Sequence, residues 1–281
     1  MPFVVALLAS ILYGSADFLG GIAARREPVL RVATITQACG MAALLAAAWF
    51  VPGVPSHADL AWAALAGITG GIGVLLLYHA MPTGQVSAVA PLISLIAIAV
   101  PVGVGLLLGE RPGALPLAGV ALGVVAIVAI SSSGEHHETG ASTRVEGRAL
   151  AVAVASGLFI GGFLVSMGRI GPGGGLWPLV TARAGGTLVA GAVALGRRTS
   201  WQVGRGSWPV LISCGVLDST ANLLYLWAVQ RAPLSLIATL VSLAPASTVV
   251  LAQVVLRERL VPAQKAGIAL ALVAIVLLSR G

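Results

Sequence analysis

Ten stretches of about 18–24 predominantly apolar residues follow one another along the 281-residue chain, near 3–24, 29–51, 59–80, 86–108, 113–132, 148–170, 176–196, 207–229, 233–256 and 262–279. Each is long enough, as a helix, to cross a hydrocarbon core of roughly 30 Å. In lipid every backbone N–H and C=O must find a partner inside its own segment or a closed barrel. A barrel would show short strands of alternating polarity, and these runs are continuously apolar. The expected fold class is therefore an all-α membrane protein with ten transmembrane helices. Composition supports this: 9% of residues are charged and 58% hydrophobic, where a soluble domain carries roughly 25% charged residues. The same figures exclude a disordered chain.

The net charge of +7 raises the question of nucleic acid. The arginines are scattered over short connecting loops, with no basic face long enough to follow a phosphate backbone, so no nucleic-acid partner is expected. Cys39 and Cys214 both lie inside apolar runs and read as packed thiols, neither a disulfide nor a metal site. No Lys/Arg-rich segment precedes the first apolar run, so that run is expected to be a retained helix rather than a cleaved signal.

The one long polar stretch, Ser131 to Arg148, lies at the midpoint and separates two copies of one pattern. Leu75-Leu76-Leu77-Tyr78 matches Asn222-Leu223-Leu224-Tyr225 at an offset of 147. At 148, Leu92-Ile93-Ser94-Leu95 matches Leu240-Val241-Ser242-Leu243, Glu110-Arg111 matches Glu258-Arg259, and Gly119 matches Gly267. On this register one residue is gained between the third and fourth helices of the second copy. The expected organisation is a first five-helix repeat over 1–132, a polar linker over 133–147 and a second repeat over 148–281. An odd number of spans per repeat forces the second copy to enter from the opposite side. The halves are then inverted about an axis in the membrane plane, with a site expected at their interface near the midplane.

Orientation follows from the basic residues. Linkers after helices 1, 3, 5, 7 and 9 hold 11 Lys/Arg and the opposite side holds 4, with Arg183 inside a span. The bias places both termini outside the cytoplasm.

Helices 4 and 9 end in sequences that resemble the closing signature of the EamA-type branch of the drug/metabolite transporter superfamily. They are Leu107-Leu108-Gly109-Glu110-Arg111 and Leu256-Arg257-Glu258-Arg259-Leu260, the latter followed by Pro262-Ala263-Gln264-Lys265-Ala266-Gly267. The likeness is sharpest over 75–132 and 222–279. It implies ten helices in inverted five-helix repeats and transport of small metabolites or drugs. Two features depart from the family's habit: Tyr13-Gly14-Ser15 stands where Trp-Gly is common, and the family's usual orientation has both termini in the cytoplasm.

Ionisable groups inside spans are costly and are functional candidates by default. Asp17 lies in helix 1 with Tyr13 one turn before it on the same face. Arg183 lies in helix 7. Asp218, Asn222 and Tyr225 form a polar stripe in helix 8, where the sequence register offers Gly71, Leu75 and Tyr78 in helix 3. Two readings stand side by side. Arg183 and Asp218 form a structural ion pair, or these groups bind substrate or protons. Asp218 is the leading candidate for a proton-linked carboxylate unless Arg183 is close. Pro91 and Pro101 in helix 4 and Pro245 in helix 9 are expected to interrupt corresponding helices, a pointer to a transport site, which Ser94 and Ser242 would line. Glu110 and Glu258 read as partners in loop ion pairs with the neighbouring Arg. His79 reads as interfacial and His136-His137 as part of a solvated linker. Gly67/Gly71, Gly105/Gly109, Gly119/Gly123 and Gly157/Gly161 read as close helix contacts.

No nucleotide, metal or nucleophile pattern of a known enzyme is present, so no catalytic activity, cofactor or metal is expected. Any driving force must be an ion or substrate gradient, a proton among the candidates. The function expected is secondary transport of a small organic solute by alternating access, in a multi-pass protein of the plasma (inner) membrane whose partners are that solute and the lipid bilayer. The competing classes are a passive channel and a membrane-embedded enzyme acting on a lipid.

Overall fold

The computed structural model describes residues 1–80, 86–131, 147–257 and 260–280. The expectations for the linker residues 133–146 (with His136 and His137), for Glu258 and Arg259, and for the side chains of Tyr78, His79 and Pro91 lie outside the described residues. Among the described residues the secondary structure is helical: α1 Pro2–Ala24, α2 Val29–Ala48, α3 His57–Ala80, α4 Val86–Leu107, α5 Ala114–Ser131, α6 Gly147–Gly168, α7 Trp177–Gly196, α8 Trp208–Val229, α9 Leu234–Val241, α10 Ala244–Leu256 and α11 Pro262–Leu278. Among the described residues seven spans are long and apolar enough to cross a membrane, and three shorter apolar helices accompany them.

Most boundaries have a local cause. Proline, which lacks an N–H to waste, opens α1, α7, α8, α10 and α11 at their first or second position. After α4, Gly109 takes a left-handed conformation at φ 93° and the amide of Glu110 returns to the Gly105 carbonyl at 3.0 Å. At the equivalent point after α10, Arg257 adopts the same left-handed cap at φ 57° without the freedom of glycine.

Two expectations need correcting. Helix 4 is not interrupted: α4 runs unbroken from Val86 to Leu107 through Pro91 and Pro101. The ninth apolar stretch is broken, into α9 and α10, at Ser242-Leu243 just before Pro245. The break thus belongs to the second half alone. There Pro245 occupies the first turn of a new helix, where its missing N–H costs nothing.

The helices pack through their smallest residues, and the contacts exchange between the halves. A Cβ on Gly119 of α5 would sit 2.9 Å from the Leu278 amide of α11, and one on Gly267 of α11 would sit 3.0 Å from the Ile130 amide of α5. The same offset of 148 relates Gly119 to Gly267 and Ile130 to Leu278. In α3, Gly67 is pressed against the Ala182 carbonyl of α7, and in α8 Gly215 is pressed against the Thr36 carbonyl of α2. These pairs set the register at 148 for α3 against α8 and at 146 for α2 against α7. The structural counterparts of Asp218 and Asn222 are therefore Gly70 and Val74, one residue from the sequence alignment. The second half gains its extra residues between its second and third helices, not between its third and fourth.

Candidate functional site

The apolar bundle encloses two adjoining chambers of about 480 and 280 Å³. Both are bordered by Asp17, Gln37, Asp218 and the α3 residues Gly71, Val74 and Leu77. The larger runs toward the end of the bundle where α1 joins α2, reaching Ala24 and Val29. The smaller reaches the depth of Tyr13, Phe163, Leu179 and Arg183. The larger has a size typical of small-molecule sites, which combine an apolar wall with a few placed polar groups.

Helix geometry supplies those polar groups. Tyr13 and Asp17 are four residues apart on α1, and Asp218 and Asn222 four apart on α8, so each pair shares a face. Arg183 of α7 reaches between them. Its Nη1 lies 2.5 Å from Asp218 Oδ2 and donates to Gln37 Oε1 at 2.5 Å. The Arg183 side chain is 7% exposed and that of Asp218 32%, so the pair is screened from bulk water on one side and meets the chamber on the other. Asn222 Nδ2 donates to the Asp218 carbonyl at 2.8 Å. Three buried polar atoms of this wall have no hydrogen-bond partner: Tyr13 Oη, Arg183 Nη2 and Asn222 Oδ1. Buried polar groups are usually satisfied, and three orphans around one chamber mark a place where a ligand or water completes the bonding.

Of the residues singled out from sequence, Tyr13, Asp17, Arg183, Asp218 and Asn222 converge on these chambers. Of the two readings of Arg183 and Asp218, the ion pair is the one formed here. Tyr225 lies elsewhere: it is wholly buried and its hydroxyl donates to the Leu164 carbonyl of α6 at 2.8 Å. Ser94 and Ser242 border neither chamber. Gln37 was not anticipated. The signal for it was the 146-residue register that pairs Thr36 with Ala182 and Gly40 with Gly186, which also pairs Gln37 with Arg183.

Beyond the smaller chamber the bundle is closed. Met167, Ile170, Leu176 and Leu179 are all buried, and the chain around the α6–α7 turn is tied on several sides. Gln230 Nε2 donates to the Ile170 and Gly171 carbonyls at 3.2 and 3.0 Å. The Gly171 amide donates to Asp59 Oδ1 at 2.7 Å, and the Val54 amide to the Gly173 carbonyl at 3.0 Å.

Glu110, expected to pair with a neighbouring Arg, instead caps α9. Its Oε1 accepts from the Leu234 amide at 2.5 Å, and its Oε2 from the Ser235 amide at 3.0 Å and the Ser235 hydroxyl at 2.5 Å. The orphan amides at a helix start favour a carboxylate. Gly105 leaves the space that this carboxylate occupies.

At the other end Glu27, nearly buried, accepts from the Gly204 amide at 3.0 Å and the Ser207 hydroxyl at 2.8 Å, and pairs with Arg31. Arg31 Nε donates in turn to the Ser200 carbonyl at 2.6 Å. This network joins the α1–α2 turn to the α7–α8 turn. The hydrogen bonds that Glu27 accepts, from Gly204 first, hold its carboxyl below the ordinary 4.5.

The model of the EamA-like transporter family matches residues 1–132 and 147–280. In three dimensions the chain is similar to a protein known from a crystal structure, with a TM-score of 0.74, 19% identity, and coverage of 98% of this chain and 95% of that one. At that identity the likeness speaks for the fold alone. Among curated proteins none matches in sequence.

Proposed function

The chain belongs to the EamA-like transporter family, a multi-pass membrane transporter of the drug/metabolite type, and from that premise we propose that it moves a small organic solute by alternating access. One observation carries the reading: a central chamber with charged and unsatisfied polar groups that extends toward one end of an apolar bundle and is shut off from the other by a packed, hydrogen-bonded layer.

The exchange of contacts between halves supports the mechanical part. Two halves related by a pseudo-two-fold can exchange conformations, giving two states in which the same interfaces are swapped across the membrane. Rocking would open the end now held by Glu110, Asp59 and Gln230 and close the end beside α1–α2. The broken α9–α10, capped from the first half by Glu110, is then an element that moves against that half.

Arg183, bound to both Asp218 and Gln37, stands where solute enters the smaller chamber, so its bonds rearrange when the chamber is occupied. Driving force comes from an ion or solute gradient. The experiment is counterflow in proteoliposomes. A labelled solute accumulates transiently against its own gradient when the lumen is preloaded with unlabelled solute. Flux that never saturates and shows no counterflow would make the protein a channel, and turnover of a lipid in detergent would make it an enzyme.

A further inference from the structure

We infer that the chamber is built for a solute of net positive charge whose ammonium group is bound at Asp17. The inference rests on the transporter reading and deepens it by naming the substrate class.

The charges within the cavity do not balance. Among the described residues the chambers are lined by three charged side chains, Asp17, Arg183 and Asp218. Arg183 and Asp218 neutralise one another at 2.5 Å. Asp17 borders both chambers and has no cationic partner among the described residues. The polar and titratable groups that face this region are Tyr13 on its own helix, Thr36 and Gln37 on α2, Arg183 on α7, and Cys214, Asp218 and Asn222 on α8, while α3 contributes only Ala, Gly, Val and Leu. None of these leaves Asp17 neutralised, since the single cation is already bound to the other acid.

A lone carboxylate within an apolar bundle is expensive unless a positive charge or a proton joins it. A solute carrying one ammonium makes the cavity electrically neutral. A zwitterion would not: its carboxylate would have to displace Asp218 from Arg183 and would leave the net charge as it was.

The orphan atoms fit the same solute. Tyr13 Oη and Asn222 Oδ1 are unsatisfied and able to accept N–H bonds, and Arg183 Nη2 is an unsatisfied donor suited to a neutral oxygen such as a carbonyl or ether. Phe163 adds an aromatic ring to the smaller chamber, and aromatic faces attract ammonium groups. The solute class is therefore a monoamine, protonated to an ammonium, with an apolar body and one acceptor oxygen.

The test uses the purified full chain in nanodiscs and two matched probe series of increasing size: primary amines from ethylamine to 2-phenylethylamine, and carboxylates of the same skeletons, with the corresponding amino acids as zwitterions. Amines should bind at least tenfold more tightly than the matched carboxylates and zwitterions, read by calorimetry or thermal shift. In Asp17→Asn the amine affinity should fall at least tenfold, and Asp17→Glu should recover most of it. The inference is overturned if no amine binds, if carboxylates or zwitterions bind better, or if Asp17→Asn binds amines as the parent does. Should Asp17→Asn fail to purify as a monodisperse species, the preference of the parent and of Asp17→Glu between the two series still decides. Counterflow of the best-binding amine separates the two claims. Amine binding at Asp17 without counterflow sustains the cation site and removes the transport reading. Counterflow of a carboxylate that ignores Asp17 does the reverse.

Discussion

Gln37 and Arg183 occupy equivalent positions in the two halves of the chain and are hydrogen-bonded to each other, Arg183 Nη1 donating to Gln37 Oε1 at 2.5 Å. Their equivalence follows from the 146-residue register of α2 and α7. Residues that meet their own counterparts lie at the two-fold between the halves. Two arginines there would repel one another in a medium of low dielectric, and two glutamines would carry no charge to a solute. The unlike pair gives the axis one guanidinium and one acceptor to hold it, and it breaks the symmetry at the point where both chambers meet.

The Arg183–Asp218 pair separates a structural role from a transport role through stability. Arg183→Gln leaves Asp218 without its cation, and Asp218→Asn leaves Arg183 with only Gln37. Breaking a buried pair one partner at a time costs about 3–5 kcal/mol. The partial exposure of Asp218 to the chamber, 32%, lowers the expected cost to roughly 2–3 kcal/mol. Each single variant should show a clearly lower apparent Tm in detergent, and the double variant should regain at least half the loss. Additive losses would mean that the two side chains do not depend on one another.

Glu110 ties the first half to α9 through three hydrogen bonds. Glu110→Ala strands the Leu234 and Ser235 amides at a helix start and should cost about 2–3 kcal/mol. Glu110→Gln keeps an acceptor and should cost less. The check is thermal unfolding of both variants beside the parent. An unchanged Glu110→Ala would mean that the cap bears no load in this conformation.

The helical class and nearly all helix ends were legible in the sequence because lipid imposes one solution on long apolar runs. The duplication was legible because packing glycines and loop signatures keep their spacing. The exact register of the third helices was not, because Leu-rich stretches match themselves at several offsets. Only the contacts of Gly67 and Gly215 fix it. Asp17, Arg183 and Asp218 could be singled out because charge in lipid is rare. Ser94 and Ser242 could not be judged, since a serine on an apolar helix satisfies itself on its own backbone and gives no sign of which face it lies on. Glu110 was misread because the adjacent Arg111 is near in sequence, whereas its real partner begins 124 residues later at Leu234.

Glycine at the crossings is required by space. Gly67→Ala would drive a methyl into the Ala182 carbonyl, and Gly215→Ala into that of Thr36. Each faces backbone, which cannot turn aside, so each should cost about 1–3 kcal/mol or displace α3 from α7 and α8 from α2. Gly103 on α4 has nothing within 4 Å of an added Cβ. Gly103→Ala should be neutral or stabilising by about 0.5–1 kcal/mol, the ordinary helix preference. Apparent Tm values of the three variants provide the comparison, and equal effects at all three would rule out the crossings as the cause.

Glu27 makes a pH-dependent contribution with a defined sign. Its carboxyl is held below the ordinary 4.5, first by the Gly204 amide, then by Ser207 and Arg31. A carboxylate with a depressed folded-state pKa stabilises the fold above its unfolded value, and that contribution is lost as pH falls through the folded value. The Tm difference between the parent and Glu27→Gln should be constant near neutral pH and shrink once the medium is acidified below 4.5. A difference that stays flat to strongly acidic pH would assign the effect of the variant to packing alone.

Orientation can be settled with two cysteines. Eleven of the sixteen Lys and Arg lie in the linkers after helices 1, 3, 5, 7 and 9, against four on the opposite side. Two of those four, Arg169 and Arg231, lie 5.7 and 4.1 Å over the rings of Trp62 and Trp227, a placement suited to an aromatic belt at a membrane surface. From the basic excess the Arg205 side is expected in the cytoplasm. Gly206 is exposed on that side with nothing within 4 Å of an added Cβ, and Gly113 is exposed on the other with its nearest neighbour at 3.8 Å. In a background carrying Cys39→Ser and Cys214→Ala, Gly113→Cys should react in intact cells with a membrane-impermeant maleimide. Gly206→Cys should react only after the membrane is opened. The reverse pattern would place both termini in the cytoplasm and turn the chamber's α1–α2 end outward, so that the conformation described here would be the outward-facing one.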